Sequence, residues 1–345
     1  MIKENPFTLT FGKEPNTAVT RYEDLQEITD TFNAENPVSQ TFFIEGIRGS
    51  GKTVLMTMAA NHLRQKDSWV IINLNPTLDL LENLSARLIS ACRRLPDLKD
   101  RGFSISVAGI GFGMEGTGQH QDNISEIEDC LAFLQKKKKR LLITIDEVLP
   151  GDTMRVFASQ FQIFIREDYP VFLLMTGLYE NIYAIQNDPA LTFLLRAPKI
   201  RMTPLSMLQI TRQYRDIFEI SEDRARQMAF VTRGYAFAFQ ALGTVCWNHK
   251  GEGEKKILEY LDELLDDFVY KKIWASLTKR EKDIVLSIKK DNTKTGEICR
   301  DISMNPASFS KYRNSLLLKG ILLSEEHGYC SLALPRFNEI VRNYE

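Results

Sequence analysis

The sequence has almost no excess charge of either sign: 44 Lys and Arg stand against 45 Asp and Glu in 345 residues, a formal net charge of −1. Attraction for nucleic acid is therefore not a property of the whole molecule and has to be sought locally. Cysteine is scarce and unpatterned, with five residues (Cys92, Cys130, Cys246, Cys299, Cys330) and no CxxC spacing. That argues against a zinc ribbon or disulfide framework and for free thiols in a reducing compartment. No run approaches the roughly 20 apolar residues that span a bilayer. The opening MIKENPFTLTFG lacks the apolar stretch of a signal peptide. Together these absences predict a cytoplasmic location and no membrane partner.

What is present is the composition of a folding chain, with 43% hydrophobic and 26% charged residues, and a length that calls for two or three domains. Four runs are nearly all apolar, as expected of strands covered on both faces: Thr41 to Ile47, Trp69 to Asn75, Arg140 to Glu147 and Val171 to Gly177. A fifth, Lys199 to Ser206, alternates more and suits an added strand. Helical patterns lie between them, at Lys52 to Gln65, Leu78 to Leu95 and Met154 to Glu167. Strands alternating with helices predict an α/β fold with a parallel five-stranded sheet and right-handed crossovers. The Gly-rich, β-rich segment Phe103 to Gly118 breaks this alternation and reads as an inserted hairpin, either a packed edge or a loop that touches a partner.

Within that frame, Gly46 to Thr53 reads GIRGSGKT. Glycines let backbone N–H groups turn inward onto phosphate oxygens, and the following helix presents its positive end to the anion. The motif follows an apolar strand and opens a helix, the context in which it binds nucleotide. Gly46, Arg48, Gly49, Ser50, Gly51, Lys52 and Thr53 are the expected cofactor-binding set, for ATP or ADP with Mg²⁺. Lys52 would reach the β- and γ-phosphates, and Thr53 would offer its hydroxyl to Mg²⁺. The run LLITIDE ends in adjacent carboxylates: Asp146 to support Mg²⁺ and Glu147 to polarise the attacking water. Thr176, ending the next strand, is placed to monitor the γ-phosphate, or is simply a turn residue. Arg196, just before the fifth strand, either contacts a phosphate, in cis or across a subunit interface, or is solvated; Arg201 is a weaker candidate. The run Lys136 to Arg140 reads as a solvated strand approach or a DNA contact.

Beyond Ser206 the pattern turns almost wholly helical, then from Ile273 reads helix, helix, turn, helix and two short strands, as in a winged helix-turn-helix. The expected division is a core over 1–205, a helical lid over 206–272 and a winged helix over 273–345. In the third helix of the last segment, Ser308, Ser310, Lys311, Arg313 and Asn314 could meet phosphates or base edges of double-stranded DNA. Leu316, Leu317, Leu318 and Ile321 read as core. The segment carries twelve Lys and Arg against nine Asp and Glu, with Glu325 and Glu326 at the wing tip. A protein-contacting winged helix therefore stays open beside a DNA-binding one.

The order of GIRGSGKT, LLITIDE, VFLLMTGL, RAPKIRMTPLS and TRGYAFAFQ resembles AAA+ and STAND-type P-loop ATPases near the origin-recognition and helicase-loader group, and a group of bacterial ATP-binding proteins with archaeal-like ATPase domains. The resemblance covers essentially the whole chain. It implies an adenine-side role for Arg21 in TRYEDLQEI, a Walker B pair at Asp146 and Glu147, and a sensor-1 position at Thr176. Arg233 lies one place before the segment in which many AAA+ lids carry a sensor-2 arginine. The function expected is an ATPase switch that couples nucleotide state to DNA engagement. A signalling or defence ATPase whose winged helix holds a protein partner or a second copy is the alternative; a small-molecule kinase lacks an evident acceptor pocket.

Overall fold

The computed structural model describes residues 4–10, 12, 15, 17, 19, 21–95, 118–323 and 328–344. The inserted hairpin expected at 103–118 lies, up to residue 117, outside the described residues, as does the wing tip at 324–327.

The first unit is built on strands β1 (Thr41–Glu45), β2 (Trp69–Leu74), β3 (Arg140–Ile145), β4 (Val171–Gly177) and β5 (Lys199–Arg201). They form one parallel sheet in the order β2-β3-β4-β1-β5. Successive side chains of a strand point to opposite faces, and the apolar runs here serve two cores. Phe42, Ile44, Leu142, Phe172 and Leu174 pack with helices α1 (Tyr22–Asn33) and α2 (Lys52–Arg64). Their neighbours Phe43, Ile143, Leu173 and Met175 pack with α3 (Leu80–Arg93), α4 (Gly118–Lys136) and α5 (Asp152–Arg166). Phe42 and Phe43 are 1% and 0% exposed, and burying each contributes about 1.5–3 kcal/mol. β5 is shorter than the alternating run suggested. Among the described residues it pairs only with β1, and its two outer residues, Lys199 and Arg201, are exposed. After β4 come α6 (Tyr179–Gln186) and a 3₁₀ turn over Pro189–Arg196.

The basic run before β3 is partly structural. The Arg140 guanidinium donates to the Phe32 and Ala34 carbonyls at 2.5 and 2.9 Å and lies over the Trp69 and Phe172 rings. Lys139 Nζ donates to the Asp67 carbonyl at 2.5 Å.

Helices α7 (Met207–Phe218), α8 (Glu222–Thr232), α9 (Ala236–Asn248) and α10 (Glu254–Leu265) follow. Ser206 and Ser221 accept from Gln209 N and Arg224 N and so start α7 and α8 with satisfied N-termini. From α10 the chain continues without a break through a π-helical turn, Asp266–Tyr270, into α11 (Lys271–Ala275). The rest is α12 (Lys279–Ser287), β6 (Thr293–Lys294), α13 (Thr295–Asp301), α14 (Pro306–Leu318), β7 (Leu322–Leu323), β8 (Tyr329–Leu332) and α15 (Phe337–Val341). The last three strands form an antiparallel sheet in the order β6-β8-β7. Asn305 caps α14 by accepting from Ser308 N, and Pro306 at its first turn needs no N–H partner.

A single apolar cluster runs from Phe7 through the four helices after β5 to Val341, so those helices and the C-terminal segment share one core. Leu316 and Ile321 belong to it, at 0% and 2% exposed, and Leu317 packs against it. Leu318 does not: it is 53% exposed, because two residues beyond Leu316 the helix has turned about 200°. Among the described residues, no helix is long and apolar enough to cross a membrane.

Candidate functional site

The P-loop joins β1 to α2, and its conformation follows from its glycines. Gly49 has φ +71° and Gly51 φ +95°, with Gly51 the residue that opens α2. At Gly49 the demand is also spatial: a Cβ would lie 2.2 Å from Tyr235 Oη. Tyr235 precedes α9 and donates its phenol to the Arg48 carbonyl at 2.6 Å, while Phe237 N donates to the Gly49 carbonyl at 3.0 Å. Burial holds that phenol well above its ordinary pKa, so it stays a donor. The helical segment is thus docked on the loop by two bonds that a side chain at position 49 would displace.

Lys52 is 6% exposed and donates to the Ile47 carbonyl at 2.9 Å. Burial pulls its pKa down to about 8, partly offset by the carboxylates of Glu147 and Asp146 and reinforced by Arg48. Thr53 Oγ1 donates to the Asp146 carboxylate at 3.0 Å. Thr176, fully buried at the end of β4, also donates to Asp146 and accepts from Glu147 N at 3.0 Å. That hydroxyl therefore holds the Asp146 carboxylate and the Glu147 backbone together. It pins Glu147 in the left-handed region, φ +54°, which is strained for a residue with a Cβ. The Glu147 side chain is half-exposed and lies 3.6 Å from the Arg48 guanidinium.

Arg48, Gly49, Ser50, Gly51, Lys52, Thr53, Glu147 and Arg21 all line one cavity of about 460 Å³. Arg21 is largely buried and donates to the Thr203 hydroxyl and carbonyl. Gly46 sits behind the loop, where a Cβ would meet Ser50 Oγ at 2.7 Å. Arg196 is exposed at the end of its 3₁₀ turn and is not part of the cavity wall. Arg201 is bound elsewhere, its Nε donating at 2.7 Å to the buried carboxylate of Glu45. Arg233 points away from the loop as well: it holds Asp291 with two bonds of 2.9 and 3.0 Å and the Leu332 carbonyl at 3.0 Å, tying α8 to the C-terminal segment.

The remaining wall comes from parts that no motif marks. Leu9 and Gly12 arrive from the N-terminal segment, Phe237 and Gln240 from α9, and Phe268 and Lys272 from the π turn and α11. Phe7 anchors the N-terminal segment, stacked on Phe218 at 5.6 Å and edge-on to Phe239 at 5.8 Å. Thr8 N donates to Gln240 at 3.0 Å, and the Gly12 carbonyl accepts from Thr57 of α2 at 3.2 Å. The segment so bridges both halves. Its one sequence signal is the Pro and aromatic content of NPFTLTFG, which says nothing about what lies opposite.

The set fits a magnesium nucleotide. The loop presents backbone N–H groups and a buried ammonium, and a Thr hydroxyl faces a carboxylate beside it. Among the described residues no group of three or more His, Cys, Asp or Glu could hold a metal alone. Mg²⁺ needs none, since it takes one or two protein ligands beside phosphate and water.

Known proteins give the same frame. The Walker-type ATPase of Pyrococcus abyssi superposes with a TM-score of 0.64 at 13% identity, over 94% of this chain and 96% of its own. The ORC2 protein of Aeropyrum pernix, in ADPNP–ADP complexes, gives 0.62 at 13% identity, over 97% and 96%. The fold is that of the AAA+ P-loop ATPases. Cdc6p of Pyrobaculum aerophilum is similar at a TM-score of 0.52 and 16% identity, over 99% and 97%. Residues 267–341 match a family described as a domain of unknown function (DUF8462). No curated protein matches the sequence. In this AAA+ frame the loop, the acidic pair and Thr176 lie at the carboxyl ends of β1, β3 and β4, where ligands of open α/β sheets bind.

Proposed function

We propose that this protein is an ATP-driven switch. It binds Mg²⁺–ATP in the P-loop cavity, hydrolyses it, and passes the nucleotide state to a C-terminal winged helix that engages double-stranded DNA. The observation that carries the first part is that Lys52, Thr53 and Glu147 line one cavity, while Asp146 and Thr176 stand behind them, bonded to Thr53 and to Glu147 N. Lys52 and the loop amides hold the phosphates, Thr53 and Asp146 hold Mg²⁺, and Glu147 orients water. Arg196, exposed and outside its own cavity, fits delivery to a second copy better than action in cis. The working division is an ATPase core over 1–205, a lid over 206–272 and the winged helix over 273–345.

DNA engagement rests on α14, where Ser310, Lys311 and Asn314 are exposed and Ser308 and Arg313 half-buried. In a mobility-shift titration with a duplex, the full chain is expected to bind at low salt with an affinity that differs between ATP and ADP. Binding should weaken steeply as salt rises, because phosphate contacts release counterions. Lys311→Glu should weaken it further. No shift at about 50 mM salt in any nucleotide state would remove DNA from the proposal. It would favour the second reading, a partner protein on the same helix.

A further inference from the structure

The segment matching the family domain begins at residue 267, and its first residues are not remote from the nucleotide cavity: Phe268, Val269 and Lys272 line it. Phe268 is 52% exposed although it lies between the buried Leu265 and Val269. Its ring sits 5.8 Å from that of Phe237, whose own N–H is bonded to the P-loop at Gly49. Two phenyl rings on one wall of a cavity whose other wall holds phosphate ligands are a surface for a flat aromatic group. Lys272, four residues on, adds a cation to the same wall.

Residues two apart on a helical turn point to nearly opposite sides. Phe268 comes to the cavity while Tyr270, two residues later, is fully buried on the far side. There Tyr270 donates to the Pro335 carbonyl at 2.7 Å and meets the Phe337 ring at 4.9 Å. The start of the turn is tied to the same segment, since Tyr344 donates to Asp266. A second contact joins the two parts. Gly320, just after α14, has φ +67° and packs so closely that a Cβ there would lie 2.3 Å from Ile47 of the P-loop. Ile47 is the residue whose carbonyl holds Lys52.

We propose that the C-terminal segment is itself part of the nucleotide site, with Phe268 stacking against the purine base and Lys272 contacting the sugar–phosphate side. The inference rests on the P-loop binding nucleotide. Its consequence is that the segment senses the nucleotide by direct contact, through a turn that carries Phe268 on one face and Tyr270 on the other.

The test is a titration of the full chain with a fluorescent ATP analogue and Mg²⁺, with hydrogen exchange of residues 277–341 followed in parallel. Phe268→Ala is expected to weaken binding about tenfold or more, in line with the worth of a lost base stack. It should also abolish any nucleotide-dependent change in exchange across the segment. Phe268→Tyr should restore both, and Lys272→Ala should weaken binding alone. Because Phe268 is half-exposed, the alanine variant should keep the exchange pattern of the nucleotide-free wild type. Wild-type affinity in Phe268→Ala, with binding lost in Lys52→Ala, overturns the inference and leaves the P-loop reading intact. Unchanged binding in Lys52→Ala overturns both.

Discussion

Glu147→Gln is expected to bind ATP as the wild type does and to turn it over about 10²–10⁴ times more slowly, the usual range for loss of a positioned acid–base group. The change conserves size and leaves the backbone N–H of residue 147 bonded to Thr176. The strained φ of +54° and the position of the side chain are therefore kept. What goes is the carboxylate that would accept a proton from water. The ion pair with Arg48 is lost too, but both partners are about half-exposed, and pairs of that kind contribute at most about 1 kcal/mol. Phosphate release under saturating ATP, beside an equilibrium binding measurement, separates the two effects. Turnover at the wild-type rate would remove Glu147 from the chemistry.

The second large effect is on stability. Lys319→Ala is expected to destabilise the folded chain by about 3–5 kcal/mol, the range for breaking a buried ion pair on one side. Glu281 is 1% exposed and begins α12 in a capping box with Thr278. Its carboxylate accepts from Lys319 at 2.8 and 2.9 Å and from Ser315 at 2.7 Å, which fixes α14 on α12. Without Lys319 a buried carboxylate is left short of its cation. Burial alone would raise the Glu281 pKa, but the bonds from Lys319, Thr278 and Ser315 outweigh it and hold the group below its ordinary 4.5. A depressed carboxylate stabilises the fold above its unfolded pKa, and that contribution is lost as pH falls through the folded value. The gap between wild type and Lys319→Ala, read from urea midpoints, should therefore be full at neutral pH and shrink in acid below about pH 4.5. An equal gap at all pH values would mean that Lys319 acts through packing alone.

The strands and the phosphate loop were legible because each rests on local chemistry. Val171 to Gly177 ends where expected since all seven residues are buried, and a two-faced core leaves no freedom in register. The places of GIRGSGKT between β1 and α2 and of the acidic pair after β3 could be read because they depend on neighbours within a few residues. Leu318 was misplaced because an apolar triplet does not show which member faces out; the rotation of α14 against Leu316 and Ile321 decides it. The role of Thr176 was only half visible. Its spacing suggested a nucleotide-facing hydroxyl, whereas its bonds to Asp146 and Glu147 N depend on the pairing of β3 with β4.

The wall of the cavity that Leu9, Phe237 and Phe268 build was not legible at all. Leu9 is brought to Phe237 and Phe268 across more than 200 residues of sequence by the core that Phe7 shares with α7 and α9. No spacing encodes such a meeting. Arg233 shows the converse: its place in the chain suggested the nucleotide, and its bonds to Asp291 and Leu332 show a link to the C-terminal segment.

Whether Gly46 to Thr53 is a working nucleotide site is decided by a calorimetric titration of Mg²⁺–ATP into the wild type and Lys52→Ala. Saturable one-site binding is expected in the wild type and none in the variant. Wild-type affinity should also weaken as pH rises through about 8, where the free protein's Lys52 ammonium gives up its proton and must regain it to meet phosphate. Equal binding by both proteins, or none by either, would show that the loop is not a nucleotide site.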